Sequence, residues 1–275
     1  MTTTLRPLGL GELLDRSFFL YRKHFALFVG IAALPYLLLL VFQLTGVVLG
    51  TQRAGVFSAL YWAWLLAIMV IQLGVTAASQ GATVIAVSNV HLDREATISS
   101  AFAGIKGRIF SIALITIGAG LGIGIGFILL IIPGIILALM WALVIPIAVL
   151  EDTGLGDSIS RSSALTKGSR LRILVIYILY FFLLYTFILL WEIPMFAAIG
   201  MFARGHNPAM IPLWSRIVIP ICSFLSLSLV TPLITIALSL TYYDQRVRKE
   251  AFDLQHMMSI LDGTTPGDTA TALPG

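Results

Sequence analysis

From Ile109 to Leu150 the chain carries no charged residue. Such a run is far longer than one apolar helix needs to cross a bilayer, and in lipid its backbone groups must all be satisfied within the protein. Two crossings joined by a turn are the arrangement it permits. The same absence of charge holds over Phe25–Leu49, Val56–Val90, Ile173–Trp191 and Ile217–Tyr243. Composition agrees: 59% of the 275 residues are hydrophobic and 11% charged, against about 25% charged in a soluble domain. The sequence therefore predicts an all-α integral membrane protein with about six transmembrane helices.

The cations set the orientation. Of the 17 Lys and Arg, only Arg53, Arg204 and Arg216 fall on one side of the expected spans. The remainder share the other side with both termini, and the basic side of a membrane protein faces the cytoplasm. A multi-pass protein of the bacterial cytoplasmic (inner) membrane, with cytoplasmic N- and C-termini, is expected. The first apolar run follows a structured polar segment and is too long for a signal peptide, so it is expected to remain as a span. No basic stretch is interleaved with aromatics as in nucleic-acid binders. The partner implied by basic residues beside apolar spans is the bilayer with its anionic headgroups.

The most polar interior stretch is Leu155–Arg172. Its pattern recurs at Thr97–Arg108: Thr97, Ile98, Ser99, Ala103, Lys106 and Gly107 align with Ser158, Ile159, Ser160, Ala164, Lys167 and Gly168. Thr97 and Ser158 suit helix N-caps, and the glycines suit the position just past a helix end. A third such helix, Leu10–His24, precedes the first span. It either lies in the membrane interface or caps the bundle in the cytosol. The chain thus reads as one membrane domain, 1–261, of three helical hairpins, each preceded by a short cytoplasmic-surface helix. The units are approximately 8–92, 95–151 and 155–261, followed by a disordered tail at 262–275. Pro133-Gly134 is a turn signal that gives the middle hairpin re-entrant character. Pro194–Leu213 reads as an external segment, and Asp244–Leu261 as a separate amphipathic helix.

Candidate headgroup contacts are Arg16, Arg22, Lys23, Lys106, Arg108, Lys167, Arg170 and Arg172. Two polar stripes recur at helical spacing: Gln72, Thr76, Gln80 and Thr83 in the second span, and Ser228, Thr231, Thr235 and Ser239 in the sixth. They either pack the bundle through interhelical hydrogen bonds or line a polar cavity. Gly118/Gly122/Gly126 and Gly120/Gly124 form two small-residue faces for close helix packing. Glu192 is the one acid within an expected span, and its distance from Arg170 places it near the far headgroups, with Arg204 or Arg216 as partner. The lone Cys222 and four scattered His residues have no ligand-like spacing, so no metal or cofactor is expected.

Three segments carry a family resemblance: LRPLGLGELLDRSFFLYRKHFALF from Leu5, IIPGIILALMWALVIPIAVLEDTGLGDSISRSSALTKGSR from Ile131, and SLTYYDQRVRKEAFDL from Ser239. They resemble bacterial proteins related to the membrane domain of glycerophosphoryl diester phosphodiesterase. In those enzymes catalysis belongs to a separate soluble barrel with His, Glu and Asp residues, which nothing in this chain matches. The resemblance implies the membrane domain alone, with no catalytic residue. A non-catalytic scaffold, accessory or lipid-interacting protein is the first functional expectation. A small transporter or lipid-handling protein, with a cavity between the second and sixth spans, is the second. A membrane-embedded hydrolase ranks last, because no acids, His and nucleophiles converge at one depth.

Overall fold

A computed structural model describes residues 9–49, 58–92, 94–205 and 212–261, with side chains described to Met201 in the third stretch and to Glu250 in the last. The described residues are helical, without strands. The elements are α1 (Leu10–Lys23), α2 (Phe25–Leu49), α3 (Ala59–His91), α4 (Ile98–Ile105), α5 (Ile109–Leu129), α6 (Ile131–Met140), α7 (Val144–Leu150), α8 (Leu155–Thr166), α9 (Arg170–Gly205) and α10 (Leu213–Leu261). Six segments are long and apolar enough to cross a membrane: α2, α3, α5, the α6–α7 pair, α9 to Met201, and α10 to Glu250. Large apolar side chains such as Leu171, Phe182, Ile128 and Leu130 stand exposed along them. That surface suits lipid as the solvent, and the chain is a multi-pass membrane protein.

The core follows the helical repeat. On α2, Phe28, Ile31, Ala32, Tyr36 and Leu39 are buried, a stripe of three- and four-residue steps that faces α3 and α10. α3 packs against α2, α4, α5, α7 and α10, and α9 lies against α10. The glycine-rich α5 uses one of its two small faces. A Cβ at Gly118, Gly122 or Gly126 would strike Leu155, Trp141 or Leu137 respectively, whereas Gly120 and Gly124 meet nothing. Packing against α6 and α8 therefore accounts for the first face, and the second is open.

Several boundaries differ from the sequence reading, each for a local reason. Pro133-Gly134 does not make the turn. The chain turns at Leu130, which is extended, and Pro133 sits in the first turn of α6, where a missing N–H costs little. The apolar run breaks later, at Trp141–Leu143, between α6 and α7. α9 continues through Pro194 to Gly205, and α10 runs unbroken through Pro220 and Pro232 to Leu261. Neither the external segment nor the last amphipathic helix starts as a separate element. The tail at 262–275 and the apolar face beyond Glu250 lie outside the described residues and side chains.

α1 packs against the last two spans. Leu14, Ser17 and Phe18 share a groove with Ile176, Leu179, Tyr180 and Leu183 of α9 and Leu233, Ile234 and Ala237 of α10. Its Tyr21 hydroxyl donates to the Leu229 carbonyl at 2.7 Å, beside the Ser228 carbonyl that Pro232 cannot serve. α1 therefore lies against both α9 and α10.

The repeated motif is visible in the backbone. Lys106 and Lys167 have φ −59° with ψ 130° and 122°, and Gly107 and Gly168 have φ 83° and 86°. Arg108 N–H bonds to Ile105 O at 2.9 Å and Ser169 N–H to Thr166 O at 3.0 Å. These are twin type II turns, with glycine at the position that requires positive φ. The helix starts diverge. Thr97 caps α4 in a reciprocal box with Ser100. Ser158 is not a cap: α8 starts earlier, with Gly154 as N-cap, and Ser158 is buried with its hydroxyl 2.8 Å from that of Thr153.

Candidate functional site: the charged end of the bundle

α8 is positioned by a defect in its neighbour. The break between α6 and α7 leaves backbone groups without intrahelical partners, a costly state away from water. Ser162 supplies both missing partners: its hydroxyl donates to Met140 O at 2.7 Å and accepts from Leu143 N–H at 3.2 Å. Thr166, one turn on, also donates to Met140 O at 3.2 Å. The polar character of Leu155–Arg172 is therefore turned inward as much as outward.

The last turns of α10 close over this unit. Glu151, just past α7, accepts from the buried Tyr242 hydroxyl at 2.8 Å and from Arg161 Nε at 3.3 Å. Arg161 also pairs with Glu250. Glu250 accepts from Arg246 Nε at 2.9 Å, and Arg246 returns to the Tyr242 hydroxyl at 3.2 Å. Glu151, Arg161, Glu250, Arg246 and Tyr242 form a closed, charge-neutral ring linking α7, α8 and α10. Burial works against the Arg161 charge, but the Glu250 and Glu151 carboxylates outweigh it and hold the guanidinium above its ordinary value.

Four further contacts flank the ring. Asp244, with a side chain 1% exposed, accepts from Arg172 of α9 at 3.0 Å and from Arg248 at 2.9 Å. Lys249 donates to Ala164 O and Lys167 O, the free carbonyls at the end of α8. Tyr243 donates to Ser88 of α3 at 3.0 Å and stacks on His91. On the other flank, Arg108 donates to Ala148 O at 3.0 Å and pairs with Asp152, closing the end of α7.

The candidate headgroup residues divide accordingly. Arg108 and Arg172 are engaged within the protein. Arg22, Lys23, Lys106 and Lys167 are exposed, and Arg16 and Arg170 are half-buried. The Arg170 Nε is buried without a hydrogen-bond partner. Lys23 stands 6.0 Å from the Phe19 ring centre. Twin exposed lysines therefore project from the twin turns.

The two polar stripes meet around one side chain. Tyr36 of α2 is buried, and its hydroxyl approaches both Thr76 and Thr231; Tyr180 of α9 approaches Thr231 as well. Those approaches do not complete a hydrogen bond at the Thr231 hydroxyl, and the Ser226 and Ser228 hydroxyls are likewise buried without partners. Thr76, Thr83, Thr235 and Ser239 donate to their own helix one turn back. Gln72 points along its own helix toward Thr76, and Gln80 is half-buried. Glu192 is exposed at a small cleft with Trp191, Cys222, Ser223 and Ser226, of about 20 Å³, room for about one water. It forms no pair with Arg216; Arg204 lies outside the described side chains.

Among the described residues no group of three His, Cys, Asp or Glu is placed to hold a metal. The ring residues Glu151, Arg161, Tyr242, Arg246 and Glu250 were not legible as a unit. Their signals were the acids that end the charge-free run and the i,i+4 pair Arg246–Glu250. No family model, curated protein or solved structure matches the chain.

Proposed function

We propose that the protein is a non-catalytic scaffold or accessory protein of the bacterial cytoplasmic membrane that holds anionic headgroups at its charged end. The observation that carries this reading is the pair of Lys-Gly turns. Lys106 and Lys167 project from the same backbone geometry into the exposed surface, and the ring beside them is neutral and internally satisfied. Positive charge beside a membrane attracts anionic lipid at about 1 kcal/mol per residue. In this arrangement α2–α3, α5 with α6–α7, and α9–α10 are three hairpins, α4 and α8 lie on the cytoplasmic surface, and both termini are cytoplasmic. The resemblance to the phosphodiesterase membrane domain accompanies this reading. The seam between α3 and α10 is occupied by Tyr36, and Thr76, Thr83, Thr235 and Ser239 bond to their own helices, which favours a packed scaffold over a transporter. Lysine-to-glutamate reversal at both Lys106 and Lys167 tests the reading. Flotation with phosphatidylglycerol vesicles is expected to fall, and unchanged recovery would refute it.

A further inference from the structure

The two Lys-Gly turns share a backbone but not an electrostatic balance. At the first, Arg108 is engaged inside the protein, by Ala148 O and Asp152. At the second, Ser169 takes the corresponding place, with its hydroxyl bonded back to Thr166 O. The arginine falls one position later, at Arg170. It is half-buried, makes no ion pair among the described residues, and keeps its Nε buried without an acceptor. A guanidinium nitrogen left in that state is costly.

α10 brings a third cation to the same turn. Lys249 Nζ donates to Lys167 O at 2.9 Å and to Ala164 O, so its ammonium is fixed at the turn itself. There it is close enough to the Lys167 ammonium for the like charges to repel. Among the described residues no carboxylate pairs with Lys167, Arg170 or Lys249. Arg172 and Arg248, beside them in the chain, already share the carboxylate of Asp244. Asp157, the acid of α8, stands about 15 Å from Lys167 along that helix at the usual rise. The turn also opens α9, where the amides of Arg170 and Leu171 have no backbone partner. That helix start adds to the positive field.

We infer that Lys167, Arg170 and Lys249 form a binding site for a phosphomonoester-type phosphate, carried on a lipid such as phosphatidate or free as inorganic phosphate. Such a group brings about 1.5–2 negative charges at neutral pH and three terminal oxygens. Arg170 offers a planar fork and the two lysines point charges. Lys249 keeps one N–H beyond those given to the two carbonyls. A phosphodiester headgroup carries a single charge, so it relieves less of the repulsion between the cations. The lipid-borne form rests on the reading that this end of the bundle holds headgroups, and the free form does not.

Native mass spectrometry of the full-length purified protein, titrated with phosphatidate and phosphatidylglycerol of identical chains, tests it. Inorganic phosphate alone is read by the melting temperature at matched ionic strength. Phosphatidate is expected to bind roughly tenfold tighter than phosphatidylglycerol, the worth of one charge-assisted hydrogen bond. Arg170→Gln should abolish that difference, Lys167→Gln should reduce it, and Lys106→Gln should cost less than Lys167→Gln. Lys249 also caps α8, so it is left in place, and an unchanged melting temperature without ligand shows that each variant is folded. Arg170→Lys, which keeps the charge but not the fork, should fall between Arg170→Gln and the unsubstituted protein. An Arg170-dependent rise in melting temperature with inorganic phosphate supports the free form, and phosphatidate binding without that rise supports the lipid-borne form. Equal binding of the two lipids, a preference that survives Arg170→Gln, or equal losses at Lys106 and Lys167 overturn the assignment. The two readings fail separately. Flotation lost on the Lys106/Lys167 reversal, with no phosphatidate preference, keeps the scaffold reading and removes this site. Intact flotation with Arg170-dependent phosphate binding does the reverse.

Discussion

Replacing Asp244 with Asn isolates the most buried charge among the described residues. Its carboxylate is 1% exposed and accepts 3.0 Å and 2.9 Å bonds from Arg172 and Arg248, which are 23% and 35% exposed. Asparagine keeps the shape and one acceptor oxygen but removes the charge that both guanidiniums face. A hydrogen bond to a charged group is worth about 1.5–3 kcal/mol. Both arginines can turn partly to water, so the loss is discounted to about 2–3 kcal/mol in total. At about 2–4 °C per kcal/mol for a chain near this size, melting in detergent should fall by roughly 5–10 °C. The assay is a fluorescence-detected melt at fixed scan rate, with Arg172→Gln and the double variant completing a cycle. The double variant should lose less than the sum of the single losses, because the shared bond is removed only once. A fall below about 1 °C, well under what one such bond supports, or full additivity, would show that Asp244 does not join α9 to α10.

Other perturbations probe the turn geometry and the helix break. Gly168→Ala places a side chain at φ 86° in otherwise open space, so the cost is backbone strain alone, about 1–2 kcal/mol. Gly107→Ala should match it, and a melt showing either substitution neutral would deny the twin turns. Ser162→Ala removes the hydroxyl that serves Leu143 N–H and Met140 O. Thr166 still reaches Met140 O, so the loss is expected near about 1–3 kcal/mol, the cost of one orphaned amide. Hydrogen exchange at Leu143 should quicken in the same variant, and unaltered protection there would refute the role of Ser162.

The spans were legible because lipid imposes a harsh rule: a charge-free run of sufficient length has few other homes. The twin turns were legible because positive φ narrows the choice of residue to glycine. Element boundaries were less legible where proline was involved. Pro133 reads as a turn in isolation but sits in the first turn of α6, and Pro194 and Pro232 interrupt hydrogen bonding without ending their helices. Ser158 looked like a cap because its neighbours align with Thr97, yet the helix gained a turn ahead of it. The ring was hidden for a different reason. Glu151 and Tyr242 are ninety-one positions apart, and only the docking of α10 on α8 brings them together. The side chain joining the two polar stripes, Tyr36, belongs to neither periodic pattern.

The ring also sets an order of events as the chain is made. Ser162 and Thr166 serve the α6–α7 break from close by in sequence, so that repair becomes available as soon as α8 is synthesised. Glu151 and Arg161 can pair with each other then, but Tyr242, Arg246 and Glu250 emerge only after the last span has been threaded. Until that moment the growing protein carries an open clasp. Its closure reports that the final helix has arrived in the correct direction, because an inverted α10 would carry its half of the clasp to the opposite side of the bilayer.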